Sequence, residues 1–275
     1  SRHTQLNSNR MIYLLNRFHH SFIFLILFII SFLCWICTFL GIGMEMSVWE
    51  ITIQNYQTDS SIMNIEERSI SFIYLTSLFL MWFLMMIAMM LPTAIPVIIM
   101  FDKISNERKK FNYKFVPTLN FTLSYLIIWS LFSFFATAIH IFLEIFKILS
   151  PISLSVGHFF GGLLFIFAGI YQMTFLKESC LRYCRNPIEI LGGKRIFDGL
   201  SAFYIGIKHG IYCVGCCWLL MFLLFYVGIM NIFWIIGLSA YMFVEKYFSQ
   251  GKKISFFTGL ILIFWGIGIL YSYYN

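Results

Sequence analysis

Three thiols and an imidazole fall on one side of a single apolar stretch. The stretch reads Lys208-His209-Gly210-Ile211-Tyr212-Cys213-Val214-Gly215-Cys216-Cys217-Trp218. On a helix turning about 100° per residue, Cys213 lies about 40°, Cys216 about 340° and Cys217 about 80° from His209. The four side chains therefore share one stripe. Soft sulfur and imidazole donors suit Cu(I) or Zn(II), whereas Ca and Mg want oxygen. A solitary buried Cys is usually a small hydrophobe filling space. A polar ring inside a lipid-buried helix, however, needs a partner. The stripe His209, Cys213, Cys216 and Cys217 is accordingly read as a metal or redox site.

A second cluster follows Tyr171-Gln172 and contains Lys177, Cys180, Arg182, Cys184, Arg185 and Pro187. Cys180 and Cys184 are four residues apart, so one helix would present both thiols on the same face. The flanking cations favour thiolate, which serves a metal ligand and a nucleophile alike. Cys180, Cys184 and His209 are expected to form a mouth site, with Cys213, Cys216 and Cys217 deeper. A third feature is the row Met81, Met85 and Met89, with Met86 and Met90 on the adjoining face. Thioethers bind Cu(I) and also fill irregular packing; Met85 and Met89 are kept as candidate ligands. Cys34-x-x-Cys37 has redox spacing but no basic neighbour, so it is read as packing. His140, Glu144 and His158 are read as a solvated helix end in preference to an exit site.

The remaining chemistry is restricted. No Asp or Glu is read as central in any span, which argues against proton relays and carboxylate catalysis in the membrane. Phosphate-binding Gly loops, acyl-transfer triads and di-iron carboxylate pairs are absent. No catalytic residue is assigned, and an enzyme is the less favoured class.

Elements that hold such residues must lie in lipid. The chain is 60% hydrophobic and 20% aromatic but only 11% charged, with mean hydropathy +0.84. A soluble domain would carry about twice that charged fraction. The net charge of +7 falls in short clusters between apolar runs, a topology signal that excludes a nucleic-acid face. Runs long enough to cross about 30 Å of hydrocarbon fall at about 21–42, 70–91, 116–141, 156–176, 200–227, 231–247 and 254–274. The expected fold is an all-α, polytopic transmembrane bundle of about seven spans, a single integral membrane domain over 1–275. With the N-terminus cytoplasmic and the C-terminus outside, 17 of the 19 Lys and Arg lie on the inner side, as the positive-inside rule requires. The longest outer loop, 43–69, instead carries Glu45, Glu50, Asp59, Glu66 and Glu67. The first run is too long for a cleaved signal core and reads as a retained anchor. Pro92 and Pro96 are expected to kink or end the second helix. Gly161-Gly162, with Gly157 before them, should let the fourth helix pack closely on a neighbour. The odd count of seven Cys, on apolar helices and inner loops, argues for free thiols.

Three segments resemble a bacterial family of predicted metal-binding integral membrane proteins, a domain-of-unknown-function group. They are Trp82 to Pro96 (M-M-x-A-M-M-L-P-x-x-x-P), Gly169 to Pro187 (G-x-Y-Q…K-x-x-C-L-x-x-C-R-x-P) and Lys208 to Glu245 (H-G-x-Y-C-x-G-C-C-W-x-L-M…V-G-x-M-N…E-K). The matching core is about residues 70–247, and the resemblance implies a metal-linked role. The leading functional expectation is a metal-handling protein of the bacterial inner membrane that binds and moves or delivers Cu(I), with zinc as the other metal. Its partners would be the lipid bilayer, other membrane subunits or a metal chaperone, with no nucleic acid. The alternatives are an accessory subunit of a membrane oxidase or monooxygenase, and a membrane thiol–disulfide oxidoreductase using Cys213 with Cys216 or Cys180 with Cys184.

Overall fold

The computed structural model describes residues 2–41, 72–107, 116–149, 156–185, 199–248 and 250–274; within 2–20 and 106–107 only the backbone is described. The acidic loop 43–69, the basic stretch 108–114, and Pro187, Lys194 and Arg195 lie outside the described residues. The elements are α1 (Arg2–Phe39), α2 (Phe72–Glu107), α3 (Val116–Ile145), α4 (His158–Gln172), α5 (Phe175–Arg185), α6 (Gly199–Phe222), α7 (Leu224–Val227), α8 (Ile232–Tyr247) and α9 (Gly251–Tyr274). Among the described residues the chain is all-helical, with one isolated bridge between Leu149 and Val156.

Among the described residues, five helical stretches are long and apolar enough to cross a membrane: Ser21–Phe39, Phe72–Ser105, Val116–Ile145, Gly199–Val227 and Gly251–Tyr274. A sixth arises if α4 and α5, which meet at a 64° bend, form one broken span. The run expected at 156–176 thus stops at Gln172, and Thr174 restarts the chain: its Oγ1 accepts from Lys177 N (3.3 Å), a helix N-cap. The run expected at 231–247 is helical, but α8 has only 16 residues, about 24 Å of length. Asn231 starts α8 by accepting from Phe233 N (3.2 Å).

The prolines do not end the second helix. Pro92 and Pro96 lie inside α2, which continues unbroken to Glu107. Carbonyls around them take side-chain donors from two other helices, α3 and α8, and from Thr93. Tyr125 Oη donates to Met90 O (3.3 Å), Ser239 Oγ to Met89 O (3.3 Å), Tyr247 Oη to Thr93 O (2.6 Å) and Thr93 Oγ1 to Met90 O (2.8 Å). These contacts tie the proline-containing stretch of α2 to α3 and α8.

The main helix pairs are α1 with α2, α2 with α3, α3 with α6 and α4 with α9. The last pair is set by glycine, as Gly161-Gly162 implied. A Cβ on Gly162 would meet Leu270 (2.7 Å) and Gly266 O (3.1 Å); one on Gly169 would meet Gly259 O at 2.6 Å, and one on Gly259 would meet Gly169 O at 2.8 Å. Backbones in direct contact have no room for a methyl group. Gly169→Leu is expected to cost on the order of 1–3 kcal/mol, the usual penalty for overpacking. A lowered unfolding midpoint in detergent, followed by tryptophan fluorescence, checks this; an unchanged midpoint would show that the close approach is dispensable.

Candidate metal centre

The sulfur atoms gather where α5 packs across α6. Cys184, Cys213, Cys216 and Cys217 are all buried, and Cys180 is half-buried. The Cys184 thiol lies beside those of Cys213 and Cys216, and Cys216 beside Cys217. Cys180 lies one turn earlier on α5, its Sγ only 3.0 Å from where a Cβ on Gly215 would sit. Glycine at 215 therefore lets α5 lie down on α6. Tyr171 Oη ties α4 to the same turn by donating to Gly215 O (2.5 Å).

This grouping differs from the one expected. Cys184 joins Cys213 and Cys216 instead of pairing with His209. His209 is buried against the aromatic rings of α3, stacked on Phe121 (5.8 Å) and Tyr125 (5.6 Å). Its Nδ1 has no hydrogen-bond partner among the described residues. The Cys216 and Cys217 thiols each donate to Cys213 O at 3.0 Å, so both lie back along their own helix. Consistent with those rotamers, no group of three His, Cys, Asp or Glu among the described residues stands ready-made around one metal position. Met85 and Met89 are fully buried on α2.

Two lysines that the charge pattern placed at the inner surface are instead buried, Lys177 at 1% and Lys246 at 5% exposure. Lys246 Nζ donates to Cys213 Sγ (3.1 Å) and to Thr93 Oγ1 (3.0 Å). Among the described residues no carboxylate pairs with it. A buried ammonium needs an anion within reach, and the groups beside it that can supply one are the thiols. Tyr125 Oη, 3.4 Å from Cys213 Sγ, completes this side. Lys177 belongs to an adjoining network. Its Nζ binds Glu245 Oε1 (2.7 Å) and Gln172 Oε1; Tyr241 Oη also donates to Glu245 Oε1 (2.8 Å), Gln172 Nε2 to Tyr241 Oη (3.1 Å), and Ser255 Oγ to Gln172 O (3.0 Å). Four helices, α4, α5, α8 and α9, are joined there.

Lys246, Glu245 and Tyr125 were not singled out from the sequence. The available signal was the Glu-Lys pair at the end of an otherwise apolar run, which topology counting absorbed as a surface charge. His140 also departs from expectation: it is buried, not solvated, and its Nδ1 accepts from Trp82 Nε1 (3.4 Å). Cys34 is buried and Cys37 half-buried, both free thiols.

Compared with known proteins, residues 79–269 match the model of the family described as PpoB2, copper chaperone. All three segments that carry the resemblance, 82–96, 169–187 and 208–245, fall inside that range. No curated protein and no solved structure matches the chain.

Proposed function

Since the chain belongs to the PpoB2 copper chaperone family and thereby has a copper-handling role, we propose that it binds Cu(I) within the membrane through Cys184, Cys213 and Cys216 and passes it to a protein acceptor. The carrying observation is the convergence of Cys184, from α5, on Cys213 and Cys216, from α6. Thiolates suit Cu(I), a soft monovalent ion. Cys217 lies beside Cys216 and Cys180 sits nearer the surface, so we assign them the inner and outer flanks of the same sulfur group. Copper arriving from a carrier would meet half-buried Cys180 first. His209 would serve once its ring leaves the aromatic stack, and Met85 and Met89 would offer weaker thioether positions.

Binding would require the Cys216 thiol to swing off the Cys213 carbonyl. Lys246 supplies positive charge beside the sulfurs when copper is absent.

We further read the chain as one integral domain of a bacterial inner membrane, with α8 and the bent α4–α5 pair raising the spans to seven. The N-terminus would be cytoplasmic and the C-terminus outside, which puts α5 and its cysteines on the cytoplasmic side. Its partners would be the bilayer, a metal carrier on the inner side and a copper-accepting protein or membrane subunit beyond.

The test is anaerobic loading of purified full-length protein with Cu(I), followed by metal analysis. About one equivalent or more is expected. Less than about a tenth of an equivalent would remove the proposal and leave the thiol–disulfide alternative, which predicts a Cys pair that cycles under oxidant and reductant.

A further inference from the structure

A second buried imidazole lies away from the thiols. His140, on α3, is 1% exposed. Its Nδ1 is occupied by Trp82, and its Nε2 has no hydrogen-bond partner among the described residues. Trp82 and Phe225 stand edge-on around the ring, with centroids at 6.5 and 6.2 Å. A buried nitrogen left without a partner is costly, and such exceptions in a packed interior call for a specific reason.

The helix that holds Trp82 is the methionine helix. Met85 and Met86 lie three and four residues beyond Trp82, and Met89 and Met90 seven and eight beyond, so all four share its side of α2. Each is fully buried. At the Met90 end, the backbone carbonyl accepts from Tyr125 Oη, the hydroxyl that touches Cys213. At the Trp82 end stands His140. The rise between these ends, eight residues, is about 12 Å. Past Phe225, its chain neighbour Tyr226 lines an open cavity of about 360 Å³ together with His158, Trp265 and Ser272. The imidazole thus packs on Trp82 of the methionine helix and on Phe225, whose chain neighbour Tyr226 lines the open cavity.

Resting on the Cu(I) reading above, we propose that His140 Nε2 is a ligand of a second Cu(I) site, reached from the thiols along the methionine face of α2. Imidazole and thioether are neutral donors that accept Cu(I), so movement from the thiols to His140 leaves the oxidation state of copper unchanged; because Nδ1 accepts from Trp82, the neutral ring carries its proton on Nε2, and ligation there moves that proton to Nδ1 and releases the Trp82 hydrogen bond. Met85 and Met86 are the thioethers nearest in register to His140 through Trp82. The cavity beside Tyr226 and His158 is where copper would leave.

Full-length protein in detergent is titrated anaerobically with Cu(I) against a chromogenic Cu(I) chelator. Wild type is expected to bind two equivalents and His140→Gln one. Gln keeps an acceptor for Trp82 Nε1 but removes the ring nitrogen. In the Cys184→Ser/Cys213→Ser/Cys216→Ser background, one equivalent should remain, with nitrogen and thioether scattering in X-ray absorption, and His140→Gln should remove it. Met85→Leu/Met86→Leu keeps the packing volume and should weaken that equivalent at least about tenfold, about 1.4 kcal/mol. The second site is overturned if His140→Gln leaves the wild-type stoichiometry unchanged, or if the folded triple variant binds no copper. Wild type that binds no copper at all removes the thiol reading as well, whereas one equivalent insensitive to His140→Gln removes only the second site.

Discussion

On the proposed thiol site, Cys184→Ser is expected to weaken Cu(I) binding at least about tenfold, about 1.4 kcal/mol, and Cys184→Ser combined with Cys213→Ser to remove its high-affinity loading. The size of the effect follows from ligand chemistry. A hydroxyl is nearly isosteric with a thiol but is a hard, neutral donor with little attraction for Cu(I). Cys184 is also the thiol that brings α5 to the sulfurs of α6, so a Ser there leaves Cys213 and Cys216 with donors from one helix only. Competition against a chromogenic chelator measures the loss. Cys34→Ser, on α1, is the control and should bind like wild type. Equal loss from Cys34→Ser would mean that the thiols act through stability, not ligation.

The second large effect concerns stability. Glu245→Ala leaves the Lys177 ammonium buried without its carboxylate, and breaking a buried pair in this way typically costs about 3–5 kcal/mol. The cost should exceed that of the Lys177→Met/Glu245→Leu double variant, because replacing both partners removes the stranded charge along with the pair. Thermal unfolding of the three proteins in the same detergent checks the order. A double variant as unstable as Glu245→Ala would show that the polar contacts of Gln172, Tyr241 and Ser255, not the ion pair, hold these helices. Lys252–Glu178 offers the contrast: that pair is 2.8 Å long but solvent-exposed on both sides, and its loss should have little effect.

Helix content was legible in the residues because it depends on local periodicity. Three thiols at fixed spacing on one apolar helix share a face whatever surrounds them, and all three are buried. The glycine contact between α4 and α9 was also foreseeable in kind, since small residues mark close helix approach. The grouping of Cys184 with Cys213 was not, because it depends on the angle at which α5 leaves α4. The continuation of α2 through Pro92 and Pro96 was hidden for a similar reason: the side chains that tie this stretch to its neighbours, Tyr125, Ser239 and Tyr247, are distant in sequence. Lys177 and Lys246 show the limit of charge counting. A basic residue near a helix end is ordinarily a marker of the membrane surface, and only tertiary contacts reveal that these two point inward.

The bend at Thr174 makes α5 a lever. Cys184 is ten residues past that pivot, about 15 Å along the helix. At that arm, a change of about 4° in the angle of α5 swings the thiol by about 1 Å, enough to spoil a metal–ligand geometry that tolerates errors of about 0.5 Å. The direction of α4 into the pivot is fixed by its glycine seam with α9, where Gly169 and Gly259 touch backbone to backbone. On the proposed ligation by Cys184, bulk added to that seam, remote from any sulfur, would detune copper affinity mechanically, and mutations in α9 would adjust the site without altering a ligand.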